Sequence, residues 1–173
     1  MVRTLKAHRR VVSLVAGLFC LGLVGYALYL QEAQGLDPCP LCIFQRVGLI
    51  VLGVVLLLAA LPPARMRGAL YLAAVLIGVV ALGSGGISLR HVYIQSLPPG
   101  AVPACGATLD YLREIFPLTE VVRKVLTGSG ECQKIDWTFL GLAMPAWALI
   151  WTVLLGVVGV VANWPPRRGR HTA

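Results

Sequence analysis

The sequence predicts an all-α membrane protein, a four-helix transmembrane bundle with two extracytoplasmic loops, and three observations lead to this fold class. Of the 173 residues, 58% are hydrophobic and only 13% are charged, whereas a typical soluble domain carries roughly 25% charged residues. The mean hydropathy is +0.82. Four stretches with little or no charge are each long enough to cross a lipid bilayer as a helix. No repeat or linker divides the chain, so we predict a single membrane domain.

The four predicted spans cover residues 11–30, 43–61, 69–89 and 146–162. Only the second contains a charge, which is Arg46. A cleaved signal peptide is the alternative for the first span, but its apolar run is longer than a usual signal sequence and no small-x-small cleavage site follows it. The spans leave two loops on one side of the membrane, at about residues 31–42 and 90–142.

The basic residues indicate the orientation of the spans. Most of the 15 Lys and Arg residues lie before the first span, between the second and third, or after the fourth. The first loop has none, and in the second loop basic and acidic residues balance. Because Lys and Arg accumulate in cytoplasmic segments, both termini are predicted to be cytoplasmic and both loops to face outward, into the periplasm of a bacterium. The net charge of +8 therefore reflects topology, and no nucleic-acid partner is predicted.

Four of the five cysteines fall in the outward loops, namely Cys39, Cys42, Cys105 and Cys132. An oxidising compartment outside the membrane would allow these thiols to form disulfides. Cys20 lies in the middle of the first span, and we interpret it as an inert packing residue. The loop cysteines admit three interpretations.

A zinc site is the first interpretation, because Cys39-x-x-Cys42 has a finger-like spacing. Cys105 and Cys132 do not form a second short pair, and no outward histidine cluster accompanies them, so no metal is predicted. The second interpretation is a structural disulfide between Cys105 and Cys132, which would stabilise the fold by roughly 3–4 kcal/mol. It explains Cys39 and Cys42 poorly, because their small ring closes almost no loop.

A thiol–disulfide relay is the third interpretation. Cys42 lies where the second span begins, near free backbone N–H groups and the positive end of the helix dipole. Arg46 follows one turn deeper on the same face, and both features favour the reactive thiolate. Pro38 and Pro40 keep Cys39 outside the helix. The pair is therefore predicted to carry redox chemistry at the membrane surface.

Such a relay needs an electron acceptor. The sequence has no motif for flavin, haem or nicotinamide, whereas a lipid-soluble quinone suits an apolar cleft between helices. Arg46 can donate a hydrogen bond to a quinone carbonyl, although a guanidinium near a helix end can instead extend to the membrane surface. His91, just past the third span, can face the same cleft or can be an ordinary interfacial histidine.

The second loop is predicted to be extended and mobile up to Cys105, because its first part is rich in proline. Further on, apolar residues recur at helical spacing, and this stripe predicts a short amphipathic helix that lies in the membrane interface or packs against the bundle. The stripe consists of Leu118, Val121, Val122, Val125 and Leu126. A glycine-rich segment then leads into Cys132.

Three segments resemble the disulfide bond formation protein B (DsbB) family. They are "PCPLCIFQR", the histidine of "RHVYIQ", and "GECQKIDWTFLGLAMPAW", which runs from Gly130 to Trp147. Their order and spacing match the family over almost the whole chain. The resemblance implies an inner-membrane enzyme that reoxidises the periplasmic dithiol oxidase DsbA and passes the electrons to ubiquinone or menaquinone of the membrane quinone pool.

The resemblance also implies roles for the cysteines. Cys105–Cys132 is the disulfide that the partner attacks, and Cys105 forms the mixed disulfide. Cys39–Cys42 then reoxidises that pair through a transient Cys39–Cys132 bridge. Cys42 is the sulfur that faces the quinone.

For the quinone site, the resemblance implies that Arg46 donates to a carbonyl, that His91 belongs to the site and that Gln31 lies near it. The family often has an acidic residue before this arginine, where the present chain has Gln45. Two other functions stay open at this point. One is a non-enzymatic membrane scaffold with structural loop disulfides. The other is a quinone oxidoreductase of the vitamin K epoxide reductase type, which the match at "FLGLAMPAW" disfavours.

Overall fold

The computed structural model describes residues 8–35, 38–61, 67–98, 117, 119–120, 125, 130–135 and 137–165. Within these ranges the chain forms four long helices, α1 (Arg9–Gln34), α2 (Pro40–Ala60), α3 (Arg67–Ser96) and α4 (Met144–Asn163). Each is long and apolar enough to span a membrane. The main helix contacts are α1 with α2, α2 with α3, and α3 with α4. The predicted all-α four-helix membrane bundle is confirmed.

The helices are longer than the hydropathy spans, and their ends follow from local sequence. Helix α1 ends at Gly35, whose φ of 63° lies in the left-handed region that glycine adopts readily. Helix α2 begins at Pro40 in its first turn, and α4 has Pro145 in the same place. These three ends lie together with Ser96, the last residue of α3, and we call this side of the bundle the cysteine end.

The core between the helices is apolar and closely packed. It is built on Cys20, Leu52, Leu56 and Ile77, none of which is exposed to solvent. Small residues let α1 and α2 approach each other, since a Cβ atom at Gly17 would lie only 2.9 Å from the carbonyl oxygen of Gly53. Large apolar side chains on the outside of the bundle remain exposed, as expected for a surface that contacts lipid.

At the end opposite the cysteines, polar side chains tie the helices together. Asn163 donates from Nδ2 to Ser13 Oγ at 2.9 Å and to the carbonyl oxygen of Gly159 at 2.9 Å. Arg9 donates from Nη1 to the carbonyl oxygen of Ala59 at 3.4 Å. These bonds join α4 to α1 and α1 to α2.

A short β-hairpin precedes α4, and the sequence analysis assigned its residues to the loop. Strand β1 (Thr138–Phe139) pairs antiparallel with β2 (Leu142–Ala143). The two turn residues, Leu140 and Gly141, both have positive φ values, 51° and 79°, which is the geometry of a tight type I′ hairpin turn. Each strand has only two residues, too few to show an alternation of apolar and polar side chains, and leucine replaces the usual Asn or Asp in the turn. The sequence therefore carried no hairpin signal.

The second loop is described only in part. Of the predicted amphipathic stripe, Val125 alone is described; the other four residues lie outside the described ranges, as does Cys105. Val125 is helical and 3% exposed, and it packs with Leu41, Ile94 and Cys132. This contact favours packing against the bundle over a position on the membrane surface.

Candidate redox site

The first cysteine pair is built by the start of α2. Cys39 is the N-cap residue, and its Sγ accepts a hydrogen bond from the backbone N–H of Cys42 at 3.3 Å. The two sulfurs are 3.0 Å apart, with Cys39 Sγ donating to Cys42 Sγ. Because residues i and i+3 share a face in the first turn of a helix, the Cys-x-x-Cys spacing holds both thiols at one spot.

The second loop returns to the bundle and brings Cys132 to this pair. A short 3-10 helix (Gly130–Gln133) carries Cys132, which is 1% exposed. The sulfurs of Cys39 and Cys132 and a ring nitrogen of His91 lie within 4.8 Å of one another. One cysteine from each predicted pair therefore lies in a single cluster at the cysteine end.

Gln133 anchors the 3-10 helix, and sequence reasoning missed this residue. Its side-chain Nε2 lies 3.5, 3.4 and 3.3 Å from the carbonyl oxygens of Ile94, Leu97 and Pro98. The last carbonyls of a helix have no partners within the helix, so the Gln133 amide caps α3 and at the same time fixes Cys132 beside it. The only feature of the sequence that could have indicated this role is that Gln133 directly follows Cys132.

His91 lies in the cluster and not at the membrane surface. It is 1% exposed, with Nε2 at 3.2 Å from the carbonyl oxygen of Cys132 and 3.7 Å from Cys39 Sγ. Donation to the carbonyl requires the proton on Nε2. His91 Nδ1 is then a buried acceptor, and it has no hydrogen-bond partner among the described residues.

Apolar side chains close the cluster from water. Leu41, Ile94 and Val125 pack around Cys39 and Cys132. The hydrogen bond with Cys132 lowers the pKa of Cys39, but the hydrogen bond with Cys42 and burial outweigh it and raise this pKa to about 12. Cys39 is therefore a protonated thiol at neutral pH when the pair is reduced.

Arg46 points across to α1. It donates from Nη1 to Gln31 Oε1 at 2.6 Å and from Nη2 to the carbonyl oxygen of Ala27 at 3.2 Å. The guanidinium is only partly buried and keeps further N–H groups for a ligand. Gln31, which the resemblance placed near the quinone, is thus the direct partner of Arg46.

A cleft of about 330 Å³ opens beside these residues. Its polar end is formed by Cys42, Gln45 and Arg46 of α2, and its walls are largely apolar. The aromatic part of the wall consists of Tyr26, Trp137, Phe139, Trp147 and Trp151. A smaller cavity of about 80 Å³ adjoins it and is lined by Cys39, Cys42 and His91. Cys42 therefore faces both spaces, whereas Cys39 faces only the smaller one.

The hairpin supplies much of the aromatic wall. Trp147 donates from Nε1 to the carbonyl oxygen of Phe139 at 3.0 Å, and the two ring centroids are 5.9 Å apart. Trp137 also stacks with Phe139, with centroids 6.1 Å apart and planes 17° apart. The pattern W-x-F-L-G-x-x-M-P-x-W therefore encodes a turn, a helix start at Met144 and three rings over the cleft.

Gln45 is a further residue of the cleft. It is 5% exposed, and its Nε2 has no hydrogen-bond partner among the described residues. A buried amide left without a partner costs roughly 1–3 kcal/mol. A ligand or water with an acceptor oxygen in the cleft would remove that cost. Cys20, in contrast, belongs to the apolar core.

Comparisons with known proteins identify the family of the chain. The family model described as "Disulfide bond formation protein DsbB" matches residues 9–162. Relatives named "Disulfide bond formation protein B" include one from Acinetobacter baumannii, 49% identical over 84% of this chain and 86% of its own length. One from Methylococcus capsulatus is 45% identical over 92% and 96%, and one from Xylella fastidiosa is 42% identical over 92% of both chains. The chain therefore belongs to the disulfide bond formation protein B family of multi-pass membrane disulfide oxidoreductases.

Proposed function

We propose that this protein is an inner-membrane thiol oxidase that reoxidises a DsbA-like periplasmic partner and passes the electrons to ubiquinone or menaquinone. The observation that carries the proposal is the position of Cys42. Its sulfur contacts Cys39 at 3.0 Å and lines the large cleft together with Arg46. A sulfur that borders both a thiol cluster and an apolar cleft can link disulfide exchange to a membrane-soluble acceptor.

The disulfide steps follow a fixed order in this proposal. A partner thiolate attacks the Cys105–Cys132 disulfide at Cys105, forms a mixed disulfide and releases Cys132 as a thiolate. Cys132 then attacks Cys39, which forms a Cys39–Cys132 bond and breaks the Cys39–Cys42 bond. The approach of the Cys39 and Cys132 sulfurs to within 4.8 Å supports this step, because exchange requires the attacking and attacked sulfurs to meet.

Two further exchanges complete the transfer. The second thiol of the partner attacks its own sulfur in the mixed disulfide, so that the partner leaves oxidised and Cys105 is released. Cys105 then attacks Cys132 in the Cys39–Cys132 bond, which restores Cys105–Cys132 and leaves Cys39 reduced. Two electrons from the partner dithiol now reside on Cys39 and Cys42, with Cys42 as the thiolate.

The residues of the cleft fit a quinone. A volume of about 330 Å³ suits a ring with part of its tail, since small-molecule pockets start at about 300 Å³. The aromatic wall can stack on the ring. The Arg46 guanidinium and Nε2 of Gln45, which has no hydrogen-bond partner among the described residues, offer donors to carbonyl oxygens. A bound quinone supplies a two-electron, two-proton acceptor.

The chain's own residues prepare Cys42 for this acceptor. The free N–H groups at the start of α2 and the charge of Arg46 stabilise a negative charge on the Cys42 sulfur. The apolar wall excludes water from the cleft. The raised pKa of Cys39 keeps the proton on Cys39 and the negative charge on Cys42, so electrons leave from the sulfur that lines the cleft.

The orientation follows from the basic residues. The end that holds Cys39 has no Lys or Arg in its first loop, whereas basic residues lie at the opposite end and in the terminal segments. We therefore place the cysteine end in the periplasm and both termini in the cytoplasm. This orientation presents the cluster to a periplasmic partner and to oxidising conditions.

Oxidation of a reduced DsbA-like partner by the purified protein tests the proposal. We expect many turnovers per protein when quinone is added, with one quinone reduced for each partner disulfide formed, and at most two equivalents of partner oxidised, one for each cysteine pair, when quinone is removed and oxygen excluded. Cys20→Ser is the matched control and retains turnover. Multiple turnovers without any quinone, or redox-inert cysteine pairs in thiol trapping, would favour another acceptor or a structural scaffold.

A further inference from the structure

We infer that the reduced form of this protein has a binding site for a thiophilic divalent metal ion such as Zn²⁺, formed by Cys39, Cys132 and His91. No metal was predicted from the sequence, because Cys105 and Cys132 do not form a second short pair and no outward histidine cluster accompanies the cysteines. Among the described residues, the structure brings an imidazole from α3, that of His91, to two of the cysteines. The inference does not depend on the identity of the electron acceptor.

The ligand types and their separations suit tetrahedral zinc. Zinc–sulfur bonds of about 2.3 Å and zinc–nitrogen bonds of about 2.0–2.1 Å imply tetrahedral edges of roughly 3.6 Å between sulfur and nitrogen. Cys39 Sγ and His91 Nε2 are 3.7 Å apart, and the ligand atoms of all three residues lie within 4.8 Å of one another. Cys42 Sγ is 3.0 Å from Cys39 Sγ but lies outside this group of three.

The three ligands come from separate parts of the fold. Cys39 precedes α2, His91 lies in α3 and Cys132 belongs to the 3-10 helix that Gln133 fastens to α3. Because these elements are held by the bundle, the ligands are brought together without the metal, so little further ordering is needed on binding. A bare Cys-x-x-Cys pair offers only two ligands and lacks this arrangement.

The surroundings also suit a bound ion. Leu41, Ile94 and Val125 pack around the cluster and exclude water, which strengthens the attraction between a cation and thiolates. The 80 Å³ cavity that reaches Cys39 and His91 is also lined by Lys134 and Gln95, of which Lys134 is exposed. This cavity provides an access route for an ion.

Ser88 is the outer partner that the imidazole requires. When Nε2 binds a metal, the ring proton moves to Nδ1, and a ligating histidine normally donates that proton to an acceptor. His91 Nδ1 and Ser88 Oγ are both buried without a hydrogen-bond partner among the described residues. Ser88 lies three residues before His91 and therefore on the same face of α3, where its hydroxyl can accept from Nδ1–H directly or through one water.

Metal binding would stop the thiol relay in its reduced state. Both Cys39 and Cys132 are thiols in the fully reduced chain, and each loses its proton to become a metal ligand. A sulfur bound to zinc cannot attack a disulfide at its normal rate. The oxidised protein offers no thiols at this place, so the site exists only while electrons reside on the cysteines.

Titration of the fully reduced, full-length protein in detergent with Co²⁺ and Cd²⁺ tests this inference. We expect one ion per chain, visible d–d absorption of tetrahedral cobalt, and a cadmium–thiolate charge-transfer band with an intensity that corresponds to two thiolates. Competition with Zn²⁺ gives the zinc affinity. The oxidised protein and the Cys20→Ser variant are the two controls, and binding should vanish in the first and persist in the second.

Four variants separate this site from a simple dithiol. Cys132→Ser and His91→Gln should each weaken metal binding by about tenfold or more, because each removes one ligand. Ser88→Ala should weaken metal binding by roughly 10–100-fold. Ser84→Ala, one turn before Ser88 in the same helix, should leave metal binding unchanged. Helical circular dichroism verifies that each variant is folded.

Two results would overturn the inference. One is equal metal affinity in the wild type, Cys132→Ser and His91→Gln, because the ion would then bind to Cys39 and Cys42 alone. The other is equal binding by the oxidised protein, which would place the ion elsewhere on the chain. If either ligand variant fails to fold, the other, together with Ser88→Ala against Ser84→Ala, still decides between the two outcomes.

Discussion

Arg46 donates a hydrogen bond from Nη1 to Oε1 of Gln31 at 2.6 Å, and this bond turns the guanidinium from α2 across to α1. A second bond, from Nη2 to the carbonyl oxygen of Ala27 at 3.2 Å, fixes the plane of the group. The same guanidinium lines the cleft with Cys42. The contact to Gln31 therefore determines how Arg46 presents its remaining donors to a ligand.

We expect Arg46→Ala to weaken quinone use by on the order of 10–100-fold, because hydrogen bonds to charged groups contribute roughly 1.5–3 kcal/mol. Arg46→Lys should rescue it only partly, since an ammonium group cannot make the same planar set of hydrogen bonds. Gln31→Leu should have a smaller effect of the same kind. Steady-state rates against quinone concentration, and separately against partner concentration, measure these effects.

Glu32→Gln is the control for the Arg46 series, because Glu32 is an exposed neighbour of Gln31. The partner dependence should be the same in all four variants. A folded Arg46→Ala protein with unchanged apparent quinone affinity and turnover would remove Arg46 from the site. Free replacement by lysine would instead indicate a guanidinium that only reaches for the membrane surface.

We next expect Cys39→Ser or Cys42→Ser to abolish turnover and yet leave a single round of partner oxidation. The Cys105–Cys132 disulfide accepts electrons once, and without the first pair it cannot be reoxidised. Rapid mixing with reduced partner, followed by acid quench and thiol labelling, measures the size of this burst. Cys20→Ala should turn over as the wild type does, since its sulfur lies in the apolar core. Repeated turnover in either single variant would contradict the relay.

The sequence predicted the bundle and part of the site. Long uncharged runs define helices in lipid because every backbone polar group must be paired within the chain, so the four spans were readable. The closeness of the Cys39 and Cys42 sulfurs could also be predicted, because it depends only on local helical spacing. The thiol of Cys20 was correctly assigned to the core.

The rest depends on contacts between distant segments. Nothing near Gln133 reveals that its amide caps α3, and the closeness of Cys132 to Cys39 was implied only by the family resemblance. His91 appeared interfacial because it follows an apolar run, but the returning loop buries it. The hairpin was missed because Leu140 adopts a positive φ. Leucine rarely does so, and the residue type therefore gave no signal of a turn.

The ionisation of Cys39 gives a third prediction. Its pKa of about 12 means that the thiol is protonated at neutral pH, and its reactive thiolate fraction rises about tenfold per pH unit below that value. In the fully reduced protein, the alkylation rate of Cys39 by iodoacetamide should keep rising beyond about pH 10, above the ordinary thiol range. Mass spectrometry of pulse-labelled protein measures the rate for each cysteine. A plateau above about pH 9.5 for Cys39 would show an ordinary thiol, because a thiol with a pKa of about 8.5 is almost fully ionised there.

The hairpin turn gives a fourth prediction. Gly141 has a φ of 79°, so Gly141→Val should strain the turn by about 1–3 kcal/mol and shift Trp137 and Phe139 in the wall of the cleft. Leu140→Asn should be tolerated or mildly stabilising, because asparagine accepts a positive φ more readily than leucine. Quenching of tryptophan fluorescence by added quinone measures quinone binding at the aromatic wall of the cleft, and thermal unfolding in detergent measures stability. Unchanged quinone quenching in a folded Gly141→Val protein would show that the hairpin does not shape the site.

The anchor at Gln133 gives the last prediction, which concerns transfer between the two cysteine pairs. Gln133→Leu removes the amide that holds the 3-10 helix to the end of α3, so Cys132 should meet Cys39 less often, and electron transfer to the first pair should slow by on the order of 10–100-fold. Apparent quinone affinity should not change, because Gln133 does not line the large cleft. Gln133→Lys retains a donor for the helix carbonyls and should restore part of the rate, whereas Lys134→Gln, at the exposed neighbouring position, should leave the rate unchanged.

The measurement is the redox state of Cys39 and Cys42 at successive times after reduced partner is added, with thiol labelling after each quench. A wild-type transfer rate in Gln133→Leu would mean that the cluster assembles without this anchor, and a parallel loss of quinone affinity would mean that the substitution disturbs the whole cysteine end.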